Sequence, residues 1–171
     1  MELETILLSK HSKSTTSKVI TWINNDPIKF KALMQCVLGN DVILAQRAAW
    51  AMSYIVIEQP KLIYPFLNKL LLHAQTQVHP AIKRNTFRFL KEIDIPKKSL
   101  TLAMDACFKV VSDPKEPIAV VCFAFYALIK LAKQFPEIKN EILFATELHQ
   151  ENDAPGIQNT LKKVRVALSN I

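Results

Sequence analysis

Apolar residues recur along this chain at the spacing of one buried helix face, in four copies. The copies start at Val42, Pro80, Pro117 and Pro155, and the second, sixth, ninth and thirteenth positions after each start are compared. They are Leu44, Ala48, Ala51 and Ile55; Ile82, Thr86, Phe89 and Ile93; Ala119, Phe123, Tyr126 and Lys130; and Ile157, Leu161, Val164 and Leu168. All are apolar except Thr86 and Lys130. The spacing predicts four equivalent amphipathic helices, which we call the B helices.

Proline spacing predicts a second set of helices between them. Proline lacks an N–H donor and is tolerated in the first turn of a helix, so regularly spaced prolines indicate helix starts. One nearly regular series consists of Pro27, Pro60, Pro96 and Pro136, and each is followed by a helical pattern. These are the A helices. The B starts at Pro80, Pro117 and Pro155 are also nearly evenly spaced, and one further step back from Pro80 reaches Val42, directly after the N-cap residue Asp41.

The two series together predict a single domain, residues 1–171, built from repeated helix pairs of about 34 to 40 residues, a period typical of helical solenoids. The predicted repeats are 26–59, 60–95, 96–135 and 136–171. Residues 1–25 are predicted to form an N-terminal capping pair, with Ser14 or Thr15 as the cap of its second helix. The fold class is therefore all-α, with about five helical pairs.

Composition supports helices and provides no catalytic signature. Only two glycines occur against nine prolines, and no glycine-rich phosphate loop, nucleophile elbow or HExxH motif is present. The three cysteines show no CxxC spacing, and the four histidines lack the partners of a zinc site, so we predict no enzyme, no metal and no cofactor. The longest uncharged apolar run, 118–129, is too short to span a membrane, and we expect a reduced, cytoplasmic protein.

One B segment carries a family resemblance. The stretch "DVILAQRAAWAMSYI", Asp41 to Ile55, resembles the second helix of a HEAT-type repeat, with an acidic cap, then Arg47, then paired alanines and an aliphatic run. The resemblance implies a right-handed α-α superhelical solenoid, armadillo-like in class, whose B helices line a concave side. It implies binding more often than catalysis.

In such an array, the fifth, eighth and twelfth residues after each B start form a stripe that approximates the concave surface. The first row is Arg47, Trp50 and Tyr54, and Arg88 stands in the second, with Arg84 beside it. The third B helix is apolar on every face, so its neighbours cover it or it receives a partner's helix or a second copy of the chain. Phe125 would then be a contact residue. The predicted partner-binding residues are Arg47, Trp50, Tyr54, Arg84, Arg88 and Phe125.

The segment "HPAIKRNTFRFLKEIDIP", residues 79–96, raises the question of nucleic-acid binding because its cations alternate with phenylalanines. Phe89 falls on the core face and Phe87 at its edge, which favours core packing over base stacking. The remaining cations form a solvated face or an anion-binding groove. The net charge of +7 permits a polyanionic partner without requiring one.

These patterns favour a non-enzymatic scaffold whose groove binds a protein or peptide, with the oligomeric state open and a dimer included. The alternative is a nucleic-acid-binding protein, since alkylpurine DNA glycosylases use similar HEAT-like repeats with a basic, aromatic groove. Their pattern needs an acidic residue in that groove, for which Glu92 is the candidate here.

Some small bacterial HEAT-like proteins similar to this chain carry an adenylosuccinate lyase label. That enzyme family has much longer chains and a catalytic serine on a Gly/Ser-rich loop, and neither feature is present here. The sequence does not support that activity.

Overall fold

The computed structural model of the chain describes residues 2–171, which contain ten α-helices, three 3-10 turns and no β-strand. The helices are α1 (Glu2–Ser9), α2 (Lys13–Ile23), α3 (Pro27–Val37), α4 (Val42–Glu58), α5 (Leu67–Ala74), α6 (Pro80–Leu90), α7 (Leu100–Val111), α8 (Ile118–Ala132), α9 (Lys139–Glu147) and α10 (Pro155–Ser169). The all-α prediction is confirmed. Helices α3, α5, α7 and α9 are the A helices, and α4, α6, α8 and α10 are the B helices.

Proline positions predict the helix starts well, with local differences. Helices α3, α6 and α10 begin at a proline, and α4 begins at Val42, where Asp41 Oδ1 accepts from the amides of Ile43 and Leu44 at 2.9 Å each. The other three A segments begin with 3-10 turns at Pro60–Leu62, Lys97–Ser99 and Pro136–Ile138. In the first of these segments α5 begins only at Leu67, since Pro65 lacks the N–H that a continuous helix needs.

The N-terminal pair is formed by α1 and α2, and both pack against α4. The cap of α2 is Ser12, whose Oγ accepts from the Thr15 amide at 3.1 Å, so the prediction of Ser14 or Thr15 was wrong. The helix starts earlier because Ser12 is the residue with extended backbone, which leaves Ser14 and Thr15 inside the first turn. Asn24 and Asn25 end α2 with φ of 43° and 60°, a left-handed conformation that asparagine tolerates.

The chain forms two compact units, one extending to Phe89 and the other from Leu90 to Ile171. In the first, Phe30, Met52, Phe87 and Phe89 are fully buried and form much of the core. In the second, α8 packs against α7 and α10, and most of its apolar residues are buried. We call them unit 1 and unit 2.

The third B helix has a different register from the predicted one. Pro117 is the N-cap, with φ −57° and ψ 135°, and α8 begins at Ile118, whereas Pro80 and Pro155 are themselves the first helical residues. Counting from Ile118, the four core positions are Val120, Ala124, Ala127 and Leu131, and all are buried. The prediction that Ala119, Phe123, Tyr126 and Lys130 form this core face was therefore wrong by one residue, because an N-cap proline was counted as a helical one.

Candidate functional site

Arg88 of α6 is held against α4 by both an aromatic and a polar contact. Its guanidinium carbon lies 4.3 Å from the centre of the Tyr54 ring, and its Nη1 donates to Ser53 Oγ at 3.3 Å. Ser53 is buried, with its Oγ 3.1 Å from Asn85 Oδ1, and Asn85 Nδ2 donates to the Ala81 carbonyl at 2.8 Å. This network fixes a cation at a half-exposed position of unit 1.

The same network changes the chemistry of Tyr54. A hydrogen bond from Arg88 lowers the pKa of the Tyr54 phenol, and the positive charge of Arg88 acts in the same direction. Both effects stabilise the phenolate relative to the phenol. Lys13 at the start of α2 also lowers this pKa, to a smaller degree.

Trp50 lies one helical turn before Tyr54 and is half-buried. The ring of His11 packs edge-on against it, with ring centres 5.2 Å apart. His11, which the sequence leaves isolated, thus lies against Trp50. We call the set Trp50, Tyr54, Arg84 and Arg88 the cation–aromatic surface of unit 1.

The two remaining arginines of the predicted site differ in what they contact. Arg47 Nη1 donates to the Leu7 carbonyl at 2.7 Å, in the last turn of α1, where unpaired carbonyls carry partial negative charge. Arg47 therefore ties α1 to α4. Arg84, one turn before Arg88, is exposed and has no hydrogen bond or ion pair to any residue from 2 to 171. Its charge is available to a ligand.

Comparison with known proteins gives the family. The HEAT repeat domain family matches residues 3–168, nearly the whole chain. The chain belongs to the HEAT-repeat family. No curated protein and no solved structure matches it. HEAT repeats form scaffolds that often mediate protein interactions, and the resemblance seen in Asp41–Ile55 is confirmed.

Phe125 does not contribute to the surface of this HEAT-repeat protein. It is fully buried in unit 2, where the ring of His149 meets it edge-on with centres 5.8 Å apart. His149 is also buried, and its Nε2–H donates to the Val111 carbonyl at 2.7 Å. The register of α8 explains this position, since Phe125 faces the core once the helix is counted from Ile118.

The corrected register brings other side chains onto the α8 stripe. Positions 5, 8 and 12 become Phe123, Tyr126 and Lys130, all half-buried. Tyr126 OH lies 3.3 Å from Thr160 Oγ1, and Lys163 Nζ lies 6.0 Å from the Tyr126 ring centre. When the count starts at Ile118 instead of Pro117, all four core positions of α8 are apolar. This signal in the sequence could have identified the three stripe residues.

The aromatic residues of the basic segment 79–96 are unavailable for stacking on bases. Phe89 is buried as predicted, and Phe87, predicted at the edge of the core, is fully buried as well. Glu92, the acidic candidate of the glycosylase alternative, is exposed and forms an ion pair with Lys91. The cations of α6 are therefore the candidate ligand-binding side chains of this segment.

The cysteines are free and buried or partly buried, and burial raises the pKa of all three thiols, that of Cys107 most strongly. They are poor nucleophiles at neutral pH. Within residues 2–171, no group of three His, Cys, Asp or Glu side chains is placed to hold a metal ion. In that same range no helix is long and apolar enough to cross a membrane.

Proposed function

We propose that this HEAT-repeat protein is a non-enzymatic binding scaffold, and that the cation–aromatic surface of unit 1 binds an acidic segment of a protein partner. The observation that carries the proposal is the fixed position of Arg88, stacked on Tyr54 and hydrogen-bonded to Ser53, one turn from the exposed Arg84.

A fixed arginine is well suited to carboxylates. The guanidinium offers several N–H donors in one plane, and a bond between charged groups is about twice as strong as one between neutral groups. Because Arg88 is already ordered by Tyr54 and Ser53, binding orders fewer side-chain rotamers than it would with a free lysine. Trp50 and Tyr54 add apolar contact area beside the charges.

The charge of unit 1 supports an acidic partner. Residues 1–89 contain 11 Lys and Arg against 5 Asp and Glu, whereas residues 90–171 contain 11 against 10. The excess of positive charge thus belongs to unit 1, where it raises the rate at which acidic molecules encounter the surface. The same excess would attract nucleic acid, which therefore enters the experiment as the competing ligand.

The experiment measures binding at the surface itself. In a Trp22→Phe background, Trp50 is the only tryptophan of the chain, so its fluorescence reports occupancy of the surface. The probes are a peptide of alternating Glu and Leu with a central Tyr, and a 20-base-pair DNA duplex, each titrated over a salt series. We expect saturable binding of the peptide, weakened at least tenfold by Arg84→Ala/Arg88→Ala, a loss of about 1.4 kcal/mol or more.

The matched control is Lys162→Ala/Arg165→Ala, which removes two exposed cations from α10 of unit 2. It lowers the net charge by the same amount and should change peptide affinity less than twofold. If both double variants lost the same peptide affinity, the binding would reflect general charge attraction, and the proposed site would be rejected. Tighter binding of the duplex than of the peptide, with a steep salt slope that the unit 1 variant flattens, would assign the surface to nucleic acid.

A further inference from the structure

Helix α9 of unit 2 exposes large apolar side chains that its own fold does not cover. Phe144 is 64% exposed, and Leu148, the C-cap residue that directly follows α9 and keeps helical backbone angles, is 44% exposed. Residues four apart on a helix lie on the same face, so the two side chains form one apolar patch. An exposed phenylalanine beside a second apolar residue is typical of a contact surface.

Acidic residues flank this patch. Glu141 and Glu147, each three residues from Phe144, are exposed, and residues 137–153 contain five acidic side chains against a single lysine. We call Glu141, Phe144, Glu147 and Leu148 the α9 face. A matching partner has fixed cations next to apolar or aromatic side chains. An acidic partner would be repelled by Glu141 and Glu147, and a purely polar partner would leave Phe144 without apolar contacts.

The chain itself carries a surface of that description. The cation–aromatic surface of unit 1 presents Arg88 stacked on Tyr54, with the exposed Arg84 one turn before Arg88 and Trp50 one turn before Tyr54. We propose that the α9 face of one copy docks on the cation–aromatic surface of a second copy, so that the protein associates with itself head to tail. This inference rests on the proposed function, since it makes α9 an acidic, apolar segment of the kind that surface binds.

Net charge does not prevent this contact. Copies with a formal charge of +7 repel each other at a distance, but charges on protein surfaces are screened over about 8 Å at physiological salt. The carboxylates of the α9 face and the guanidinium groups of unit 1 would therefore interact mainly with each other. The short helix α9 buries little area, so the contact is weak and depends on concentration.

The two surfaces are different, and the contact is therefore heterologous. A pair of copies keeps one unused surface of each kind, so further copies can add. Sedimentation equilibrium is the direct measurement. In about 50 mM salt we expect the average mass to rise above the 19.4 kDa of the monomer as the protein concentration increases to about 500 µM, and to fall back in about 500 mM salt.

Two variants each disable one surface without touching a buried residue. Arg84→Glu alters the unit 1 surface, and Glu141→Lys/Phe144→Ser alters the α9 face. Each alone should lower the association constant at least tenfold. An equimolar mixture should form a one-to-one dimer that does not grow further, because each variant then supplies the surface that the other lacks. Val166→Ser, which removes a 64% exposed valine from α10, is the control and should associate like the natural protein.

Three results would overturn the inference: a monomeric protein at every concentration, an equal effect of Val166→Ser, or a mixture that stays monomeric. The acidic-peptide titration separates this failure from that of the proposed function. If the peptide binds the natural protein and Arg84→Ala/Arg88→Ala weakens that binding at least tenfold, a monomeric protein rejects only self-association. If the peptide does not bind either, both proposals fail.

Discussion

Arg88 and Arg47 illustrate at the level of single residues how position decides the role of a charge. Both lie on the predicted stripe of a B helix, Arg47 five residues after Val42 and Arg88 eight residues after Pro80, yet Arg47 donates to the Leu7 carbonyl and Arg88 stacks on Tyr54. The first stabilises the packing of α1, and the second presents a cation at the surface. Their place on the predicted stripe does not distinguish the two roles, and only their contacts do.

The Arg88–Tyr54 contact predicts a shifted phenol titration. In a Tyr64→Phe/Tyr126→Phe background Tyr54 is the only tyrosine, and its phenolate absorbance should appear at lower pH than that of a free tyrosine. Arg88→Met should move the titration upwards, because it removes the hydrogen bond and the charge that favour the phenolate. Ultraviolet absorbance followed against pH measures this. Lys162→Met is the control, and an unchanged midpoint in Arg88→Met would contradict the described contact.

Lys130 shows how a helix is connected to a segment that is distant in the sequence. It interrupts the apolar pattern of the third B helix when that helix is counted from Pro117, and its Nζ donates to the Ile93 and Glu92 carbonyls at 2.6 and 3.1 Å. It also lies 3.1 Å from an oxygen of the exposed Asp94. Through Lys130, α8 holds the segment that follows α6 within unit 2.

Replacing Lys130 by methionine tests this connection, since methionine keeps an unbranched side chain and removes the donor. The bonds from the ammonium to backbone carbonyls are charge-assisted, while the exposed pair with Asp94 adds little. We expect the free energy of unfolding to fall by about 1 to 2 kcal/mol in urea denaturation. Lys133→Met, at an exposed position near the end of α8, should change it by less than about 0.5 kcal/mol. Equal effects would contradict the role of Lys130.

The whole molecule is a repeat protein of two compact units, and its stability should reflect this organisation. In repeat arrays each helix pair contacts mainly its neighbours, so a local loss of packing stays local. Val164 of α10 is fully buried, and α10 packs against α8 and α9. Damage introduced at Val164 should therefore affect unit 2 first.

Val164→Ala should accelerate amide hydrogen exchange in α8 and α10 more than in α3 and α4. The lost methyl groups and the cavity they leave should cost on the order of 1 to 2.5 kcal/mol, felt by the helices around the cavity. Hydrogen exchange followed by mass spectrometry locates the change. Val19→Ala, a fully buried position in α2 of unit 1, should show the converse pattern. A uniform change across the chain in both variants would mean that the molecule unfolds as a single cooperative unit.

The sequence alone determined the helices and their repeat. Prolines constrain the first turn by covalent geometry, and the apolar spacing selects the buried face, so fold class and most helix starts follow from local information. The same information failed at Pro117 by a single residue, because a proline fits both the N-cap and the first helical position. That error exchanged Phe125, a core residue, for Tyr126 on the stripe. The right-handed sense of the superhelix and the repeat boundaries stay predictions.

Only the tertiary structure decided which side chains are available for binding. Arg47 meets Leu7, Arg88 meets Ser53, and Lys130 meets Ile93, each pair far apart in the sequence. Hydrogen bonds between such distant residues depend on how neighbouring helices pack, and no local pattern records them. The exposure of Phe144 is likewise a matter of packing, since helical spacing places it near the buried Ile142 and Ala145 without showing that no neighbour covers it. The periodicity of the chain fixed its helices, and the packing between those helices determined which charges and apolar groups remain at the surface.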